Sequence, residues 1–180
     1  MKILFVRHGK STANANGTIG TPDTPLAEEG VKQSRAMAQK LKNQHIAVIV
    51  CSPFIRAQQT AEIIAGELGI PVKDIRVINE LEERRMGDLE GQAKQYESEY
   101  FYTNDTEHGF EPRQALITRM QKALEKIIAI AKDTKGPIVA IGHATSGYYL
   151  EQVAKGKKHF EDFGPVDQIN NAEFVEINTA

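Results

Sequence analysis

Residues 3–17 read ILFVRHGKSTANANG: four apolar residues, then Arg7-His8-Gly9, then a run of small polar side chains. Ile3 to Val6 is continuously apolar rather than alternating, the pattern of a strand covered on both faces. The pattern recurs along the chain. Ile46 to Val50 and Ile138 to Ile141 are apolar runs of strand length, and they lead into CSP at 51–53 and GHA at 142–144. Between them apolar positions return at three- and four-residue steps. Val31, Ser34, Ala38 and Leu41 predict a helix over about 27–43. Ala57, Ala61, Ile64 and Leu68 predict another, opened by Ser52-Pro53 as capping hydroxyl and first helical proline and closed by Gly69 and Pro71. Leu116, Met120, Ala123, Ile127 and Ile130 predict a long helix from Pro112 to Gly136-Pro137. A helix around 146–155, a short strand at Ile75 to Ile78 and a strand near Phe174 to Ile177 complete the reading. Alternating strands and helices predict an α/β fold, a three-layer α/β/α sandwich with a mostly parallel central sheet. Residues 10–25 read as a polar loop, and 79–111 are polar and poorly periodic, with no element assigned.

Composition bounds the rest. A chain of 180 residues is expected to form one domain over 1–180, with a core large enough to need no disulfide or structural metal. A formal net charge of -2 gives no support to a nucleic-acid or anionic-membrane partner, so any electropositive site has to be local. Cys51 is the single cysteine, and the apolar stretch KILFV is too short for a secretion signal. The expected compartment is therefore reducing and cytoplasmic. There is no Gly-rich phosphate loop, dinucleotide fingerprint or zinc-type spacing, so neither a metal nor another cofactor is expected.

In open α/β sheets ligands bind beyond the carboxyl ends of the strands, which is where the charged groups of this chain collect. Arg7 and Arg56 offer planar forks of donors that match phosphate oxygens in pairs. A neutral imidazole at His8 carries a lone pair able to attack phosphorus, and neighbouring cations disfavour its protonation. His143 is placed to share the charge of the transferring group with the two arginines. The leaving oxygen needs a proton, and a water that follows must lose one. One carboxyl group can serve both, and Glu80, Glu82 and Glu83 are the three on offer.

RHGKSTANANG resembles the opening motif of the histidine phosphatase superfamily, the phosphoglycerate mutase-like enzymes. CSPFIRAQQTAEII resembles the family's second block, with Arg56 in its phosphate-binding position. LEERRMGDLEG resembles the block that carries the acid/base glutamate, and VAIGHATSG the block with the second histidine. GFEPRQALITRM and INNAEFVEI fall where the family has related stretches, so the resemblance spans nearly the whole chain. It implies that His8 accepts a phosphoryl group, that Glu83 handles protons, and that Arg7, Arg56 and His143 form the phosphate pocket. Ser11 and Asn14 match positions that help hold the phosphate and shape its loop. Ala144, where a glycine is common, is expected beside the second histidine in the same pocket. Lys10 stands where relatives often have an acid or amide, and Lys94 and the pair Arg84-Arg85 lie near positions where mutase members hold their substrate's carboxylate.

The resulting expectation is a metal-independent phosphatase acting on a small phosphorylated metabolite through phosphohistidine. The mutases' later arginine pair and extended tail are not found. A mutase-type phosphotransferase and a protein-phosphohistidine phosphatase are the enzymatic alternatives, and a non-catalytic phospho-ligand-binding module is the other class. The remaining histidines, His45, His108 and His159, read as surface residues. Cys51 precedes Arg56 by one residue too few for a thiol-phosphatase loop, and reads as a buried small hydrophobe. Lys155 to Lys158 reads as a solvated loop, and the aromatic residues Tyr96, Tyr100, Phe101 and Tyr102 as either a packed helix or the pocket mouth.

Overall fold

The computed structural model describes residues 1–94, 108–164 and 169–179. The aromatic residues Tyr96, Tyr100, Phe101 and Tyr102 lie outside them. In chain order the elements are β1 (Lys2–Arg7), α1 (Thr12–Asn16), α2 (Glu28–Leu41), β2 (Val48–Cys51), α3 (Ile55–Leu68), β3 (Arg76–Val77), α4 (Arg113–Lys132), β4 (Ile138–Gly142), α5 (Ala144–Ala154) and β5 (Phe174–Asn178). The strands form one sheet in the order β3-β2-β4-β1-β5, parallel except for β5, which pairs antiparallel with β1.

The apolar runs alternate in the direction their side chains take, and the two sets feed two cores. Ile3, Phe5, Val48, Val50, Ile138 and Ala140 pack with Leu116, Met120, Ala123 and Ile127 of α4 and with Tyr149 and Leu150 of α5. Leu4, Val6, Ile49, Cys51, Val139 and Ile141 face the other way, against Met37, Ala38 and Leu41 of α2 and Ala57, Ala61 and Ile64 of α3. Each fully buried Leu, Ile or Phe contributes roughly 1.5–3 kcal/mol relative to exposure. Three layers result, and Cys51 is the buried small hydrophobe the sequence predicts.

Register fixes the site. Arg7 pairs with Gly142 and Cys51 with Ile141, so the residues that follow, His8, Ser52 and His143, leave the sheet at one level. His8 N donates to Gly142 O (3.0 Å), and Ser52 N to Ile141 O (2.9 Å). Gly9 is required by close approach: a Cβ there would collide with the Gly30 carbonyl of α2 and lie 2.8 Å from Ser34 Oγ. Thr60 of α3 then ties the loop to the neighbouring layer, accepting from Gly9 N (3.2 Å) while donating to Arg56 O (2.8 Å).

Several boundaries differ from the sequence expectation. Helix α3 begins at Ile55, not at Ser52-Pro53, because the buried Ser52 hydroxyl faces back to His143 and to Phe54 N instead of capping the helix. The expected loop at 10–25 contains the short helix α1, nucleated by a capping box between Ser11 and Asn14 and closed by Gly17 at φ 66°. Helix α5 starts at Ala144, directly behind the strand. The strand expected at Ile75 to Ile78 shrinks to Arg76–Val77 at the exposed sheet edge. Residues 79–94 hold single turns of 3-10 helix, Asn79–Leu81 and Gly87–Leu89, and one isolated antiparallel bridge from Ala93 to Thr18.

Candidate active site

A cavity of about 140 Å³ opens at the carboxyl end of the sheet, with room for on the order of ten water molecules. On the sheet side it is lined by Arg7, His8, Ser11, Asn14, Phe54, Arg56, Ala144 and Thr145, and on the loop side by Glu83, Arg84, Met86, Glu90 and Lys94. Four cations, Arg7, Arg56, Arg84 and Lys94, face two carboxylates, Glu83 and Glu90. The near-neutral chain therefore concentrates positive charge here, as an anion site requires.

The hydrogen bonds of His8 fix its tautomer. Nδ1 lies 2.6 Å from Gly9 O, which can only accept, so Nδ1 carries the hydrogen. Nε2 is left with the lone pair, and it accepts from Arg56 Nε at 3.2 Å. The ring is 3% exposed, and burial, reinforced by Arg56, holds its pKa well below the usual imidazole value against the opposing pull of the Gly9 bond. At neutral pH His8 is therefore a neutral base with one oriented lone pair.

Arg56 is buried, at the start of α3, and its Nη1 donates to Thr21 O (2.7 Å). Burial lowers its pKa to about 10, with Glu83 acting in the opposite sense, and it remains a cation at neutral pH. Arg7 ends β1. Its Nη1 donates to Ile169 O (2.7 Å), while its Nε is buried with no partner among the described residues. Burial lowers the Arg7 pKa, with Glu83 again opposing.

His143 is fully buried behind this front row. Its ring meets His8 edge-on with centroids 5.1 Å apart, and Phe54 likewise at 5.1 Å. Nε2 bonds Ser52 Oγ (2.8 Å), and Nδ1 is buried without a partner among the described residues. Burial first, then Arg56 and His8, keep this imidazole neutral as well. His143 is thus adjacent to His8 but is not one of the residues lining the cavity.

Of the three glutamates, geometry selects one. Glu80 is drawn to Lys126 Nζ (2.6 Å) and Glu82 to Arg85 (3.2 Å). Only Glu83 lines the cavity, where Oε1 accepts from the backbone N of Arg84 (2.9 Å) and Ser146 (2.9 Å) and Oε2 from that of Thr145 (3.1 Å). Two of those donors are orphan amides in the first turn of α5. Ser11 and Asn14 also line the cavity, and their mutual bonds shape its loop: Ser11 Oγ donates to Asn14 Oδ1 (3.0 Å) and accepts from Asn14 N (3.1 Å). Ala144 sits in the wall at 6% exposure.

Other expectations resolve around this site. Lys10 pairs with Glu29 (2.7 Å) and does not line the cavity, so its departure from the family pattern leaves the pocket intact. Lys155 pairs with Glu151 (2.8 Å), and none of Lys155 to Lys158 lines the cavity. His45 and His159 are exposed, but His108 is half-buried with its ring 5.7 Å from Phe110. Sequence reasoning missed Phe54, whose ring lies 5.1 Å from the guanidinium of both Arg56 and Arg85. It also missed Ser52, which it gave to helix capping, and Asn171, whose Nδ2 donates to His8 O (3.0 Å) and Asn14 Oδ1 (3.4 Å). The position of Ser52 one residue past a buried strand, beside the histidine strands, was the available signal.

No helix among the described residues is long and apolar enough to cross a membrane. Comparison with known proteins places the chain. It is 33% identical over 154 residues to a protein of Yersinia pestis called a probable phosphoglycerate mutase, a match spanning 80% of this chain and 71% of that one. Among solved structures, a mycobacterial glucosyl-3-phosphoglycerate phosphatase with VO3 superposes with a TM-score of 0.81 at 23% identity, covering 97% of this chain and 90% of the other. The α-ribazole phosphatase of Shigella flexneri does so with a TM-score of 0.76 at 21% identity, covering 99% and 90%. These two likenesses establish the shared fold. Residues 3–179 match the family model of the histidine phosphatase superfamily, branch 1, and with the 33% identical relative that match decides the matter: the chain belongs to the histidine phosphatase superfamily.

Proposed function

We propose that the protein hydrolyses a small phosphomonoester through a phosphohistidine on His8. The observation that carries this reading is the locked tautomer of His8: Nδ1–H is held by the Gly9 carbonyl, and the Nε2 lone pair is turned to the guanidinium of Arg56 at the cavity. In the first step Nε2 attacks phosphorus in line, the P–O bond to the organic group breaks, and the Glu83 carboxyl delivers a proton to the departing oxygen. In the second, water attacks the phosphohistidine and gives its proton to Glu83, the N–P bond breaks, and inorganic phosphate leaves. Charge on the non-bridging oxygens is balanced by Arg7 and Arg56, with the unpartnered Arg7 Nε as a further donor, while the neutral His143 packs against the His8 ring from behind the cavity wall. Ser11, Asn14 and Ala144 form the surrounding wall. None of these steps needs a metal.

The cavity volume suits a phosphoryl group with a small organic remainder, so the proposed substrate is a phosphorylated metabolite of the cytoplasm. Rapid quenching of the enzyme with a ³²P-labelled substrate tests the proposal: an acid-labile, alkali-stable phosphoenzyme is expected, and it disappears in His8→Ala. An acid-stable adduct, or turnover abolished by a chelator, would sink it. The name of the 33% identical relative favours a second reading, in which the phosphoryl group returns to an organic acceptor. Product analysis separates the two, since free phosphate marks hydrolysis and an isomerised phosphoester marks transfer.

A further inference from the structure

Glu83 rides on a segment with little regular hydrogen bonding of its own: Asn79–Leu81 is one 3-10 turn, and residues 82–86 belong to no element. Sheet register cannot place it. Lys126 of α4 reaches only the Glu80 carboxylate, whereas Arg119 of the same helix binds the backbone of the segment. Arg119 Nη1 donates to the carbonyls of Glu80 (2.7 Å) and Glu82 (2.8 Å), and Nη2 to that of Glu83 (3.3 Å). Its Nε and Nη2 also fork onto Glu111, at 2.7 Å to Oε1 and 2.6 Å to Oε2. All five guanidinium N–H groups are thereby used, three on the backbone that carries Glu83 and two on one carboxylate.

Glu111 is fastened to the same segment. Its backbone N donates to Arg85 O (3.0 Å), its Oε2 accepts from Arg85 N (3.4 Å), and its carbonyl accepts from Arg84 Nε (2.9 Å). The pair is largely buried, with side chains 18% and 13% exposed, and desolvation makes such a pair a poor source of stability in itself. Its geometry is better explained by what it holds in place.

We infer that Arg119, backed by Glu111, is a positioning residue for Glu83. It clamps the backbone from below while the amides of Arg84, Thr145 and Ser146 receive the carboxyl group from the cavity side. The inference rests on the proposed role of Glu83 as proton donor to the leaving group. Loosening the clamp therefore harms reactions whose leaving group needs a proton and spares those whose leaving group does not.

The test measures kcat/KM over a series of aryl phosphates, from 2,4-dinitrophenyl, whose phenolate departs unprotonated, to unsubstituted phenyl. The wild type is expected to depend weakly on the leaving group, and Glu83→Gln strongly. Arg119→Met should steepen the dependence too, losing about 100-fold on phenyl phosphate and less than about threefold on the dinitrophenyl ester, the scale of effect of misplacing a catalytic group. Combining Arg119→Met with Glu111→Leu removes the carboxylate that would be left uncompensated, and Glu111→Gln retains the guanidinium, so both serve where the single change does not fold. Equal losses along the whole series in whichever variants fold, or failure of all three to fold, would assign the pair to the fold alone and overturn the inference. A Glu83→Gln series as shallow as the wild type's, or a wild type inert on every ester, would instead overturn the proposed function first, and the inference with it.

Discussion

The two walls of the cavity are built in different ways. Arg7, His8 and Arg56 stand on or just beyond β1 and at the first turn of α3, where sheet register and helical hydrogen bonding place the backbone. Glu83, Arg84, Met86, Glu90 and Lys94 stand on single turns and irregular chain, held by bonds such as Arg119 to Glu80, Glu82 and Glu83. On the proposed function, the first wall accepts and holds the phosphoryl group, and the second carries Glu83 together with residues that face the organic remainder and can vary without disturbing the sheet.

The largest effect that would break this contrast is expected at the rigid wall. His8→Ala should lower turnover on the order of 10⁴-fold or more, as loss of a nucleophile does elsewhere. Thermal unfolding should stay close to that of the wild type, and phosphate release within tenfold of it would exclude His8 as nucleophile. Arg56→Lys keeps the charge but loses the fork and the Nε bond to His8, and a fall in kcat of about 10²–10³-fold is expected from a lost electrostatic donor. A change confined to KM would show that Arg56 only binds.

The same wall should reveal itself in the dependence of stability on pH. His8 and His143 are held neutral in the fold, so the unfolded chain binds more protons below the free imidazole value of about 6.5. Stability is therefore full above that pH and falls as the pH drops toward the lowered native values, by about 1.4 kcal/mol per pH unit for each histidine. Denaturant titrations between pH 6.5 and 5 would measure the slope, and His143→Gln should reduce it by about one proton's worth. An unchanged slope would mean that His143 titrates alike in both states. At the irregular wall the smallest effect is expected. Lys94→Ala should raise KM for an anionic metabolite about fivefold, the scale of a solvent-exposed charge contact, with kcat and the hydrolysis of 4-nitrophenyl phosphate unmoved. A collapse of kcat would move Lys94 into the chemistry.

The difference between the walls also governs what was legible in the sequence. Ile3 to Val6, Val48 to Cys51 and Ile138 to Ile141 are buried strands, because local β preference and two-sided burial agree there, and they deliver His8 and His143 where strand ends predict. Choosing Glu83 over Glu80 and Glu82 needed either family resemblance or coordinates, since adjacent carboxylates differ only in which partner reaches them. Those partners are Lys126, Arg85 and the amides of α5, and two of the three lie on distant elements. Helix α1 was hidden because its evidence is one reciprocal bond pair, Ser11 with Asn14, rather than a periodic stripe. Ser52 misled for a related reason. Serine before proline suits a helix start, but the hydroxyl's burial beside His143 outweighed local preference.

The contact between Asn171 and the carbonyl of His8 joins residues 163 apart, and Ile169 O and Ala172 N bind Arg7 from the same return of the chain. In synthesis the proposed nucleophile therefore precedes, by most of a domain, the residues that complete its support. Until the antiparallel strand β5 and the turn before it have docked, the growing polypeptide carries an imidazole whose setting is still incomplete.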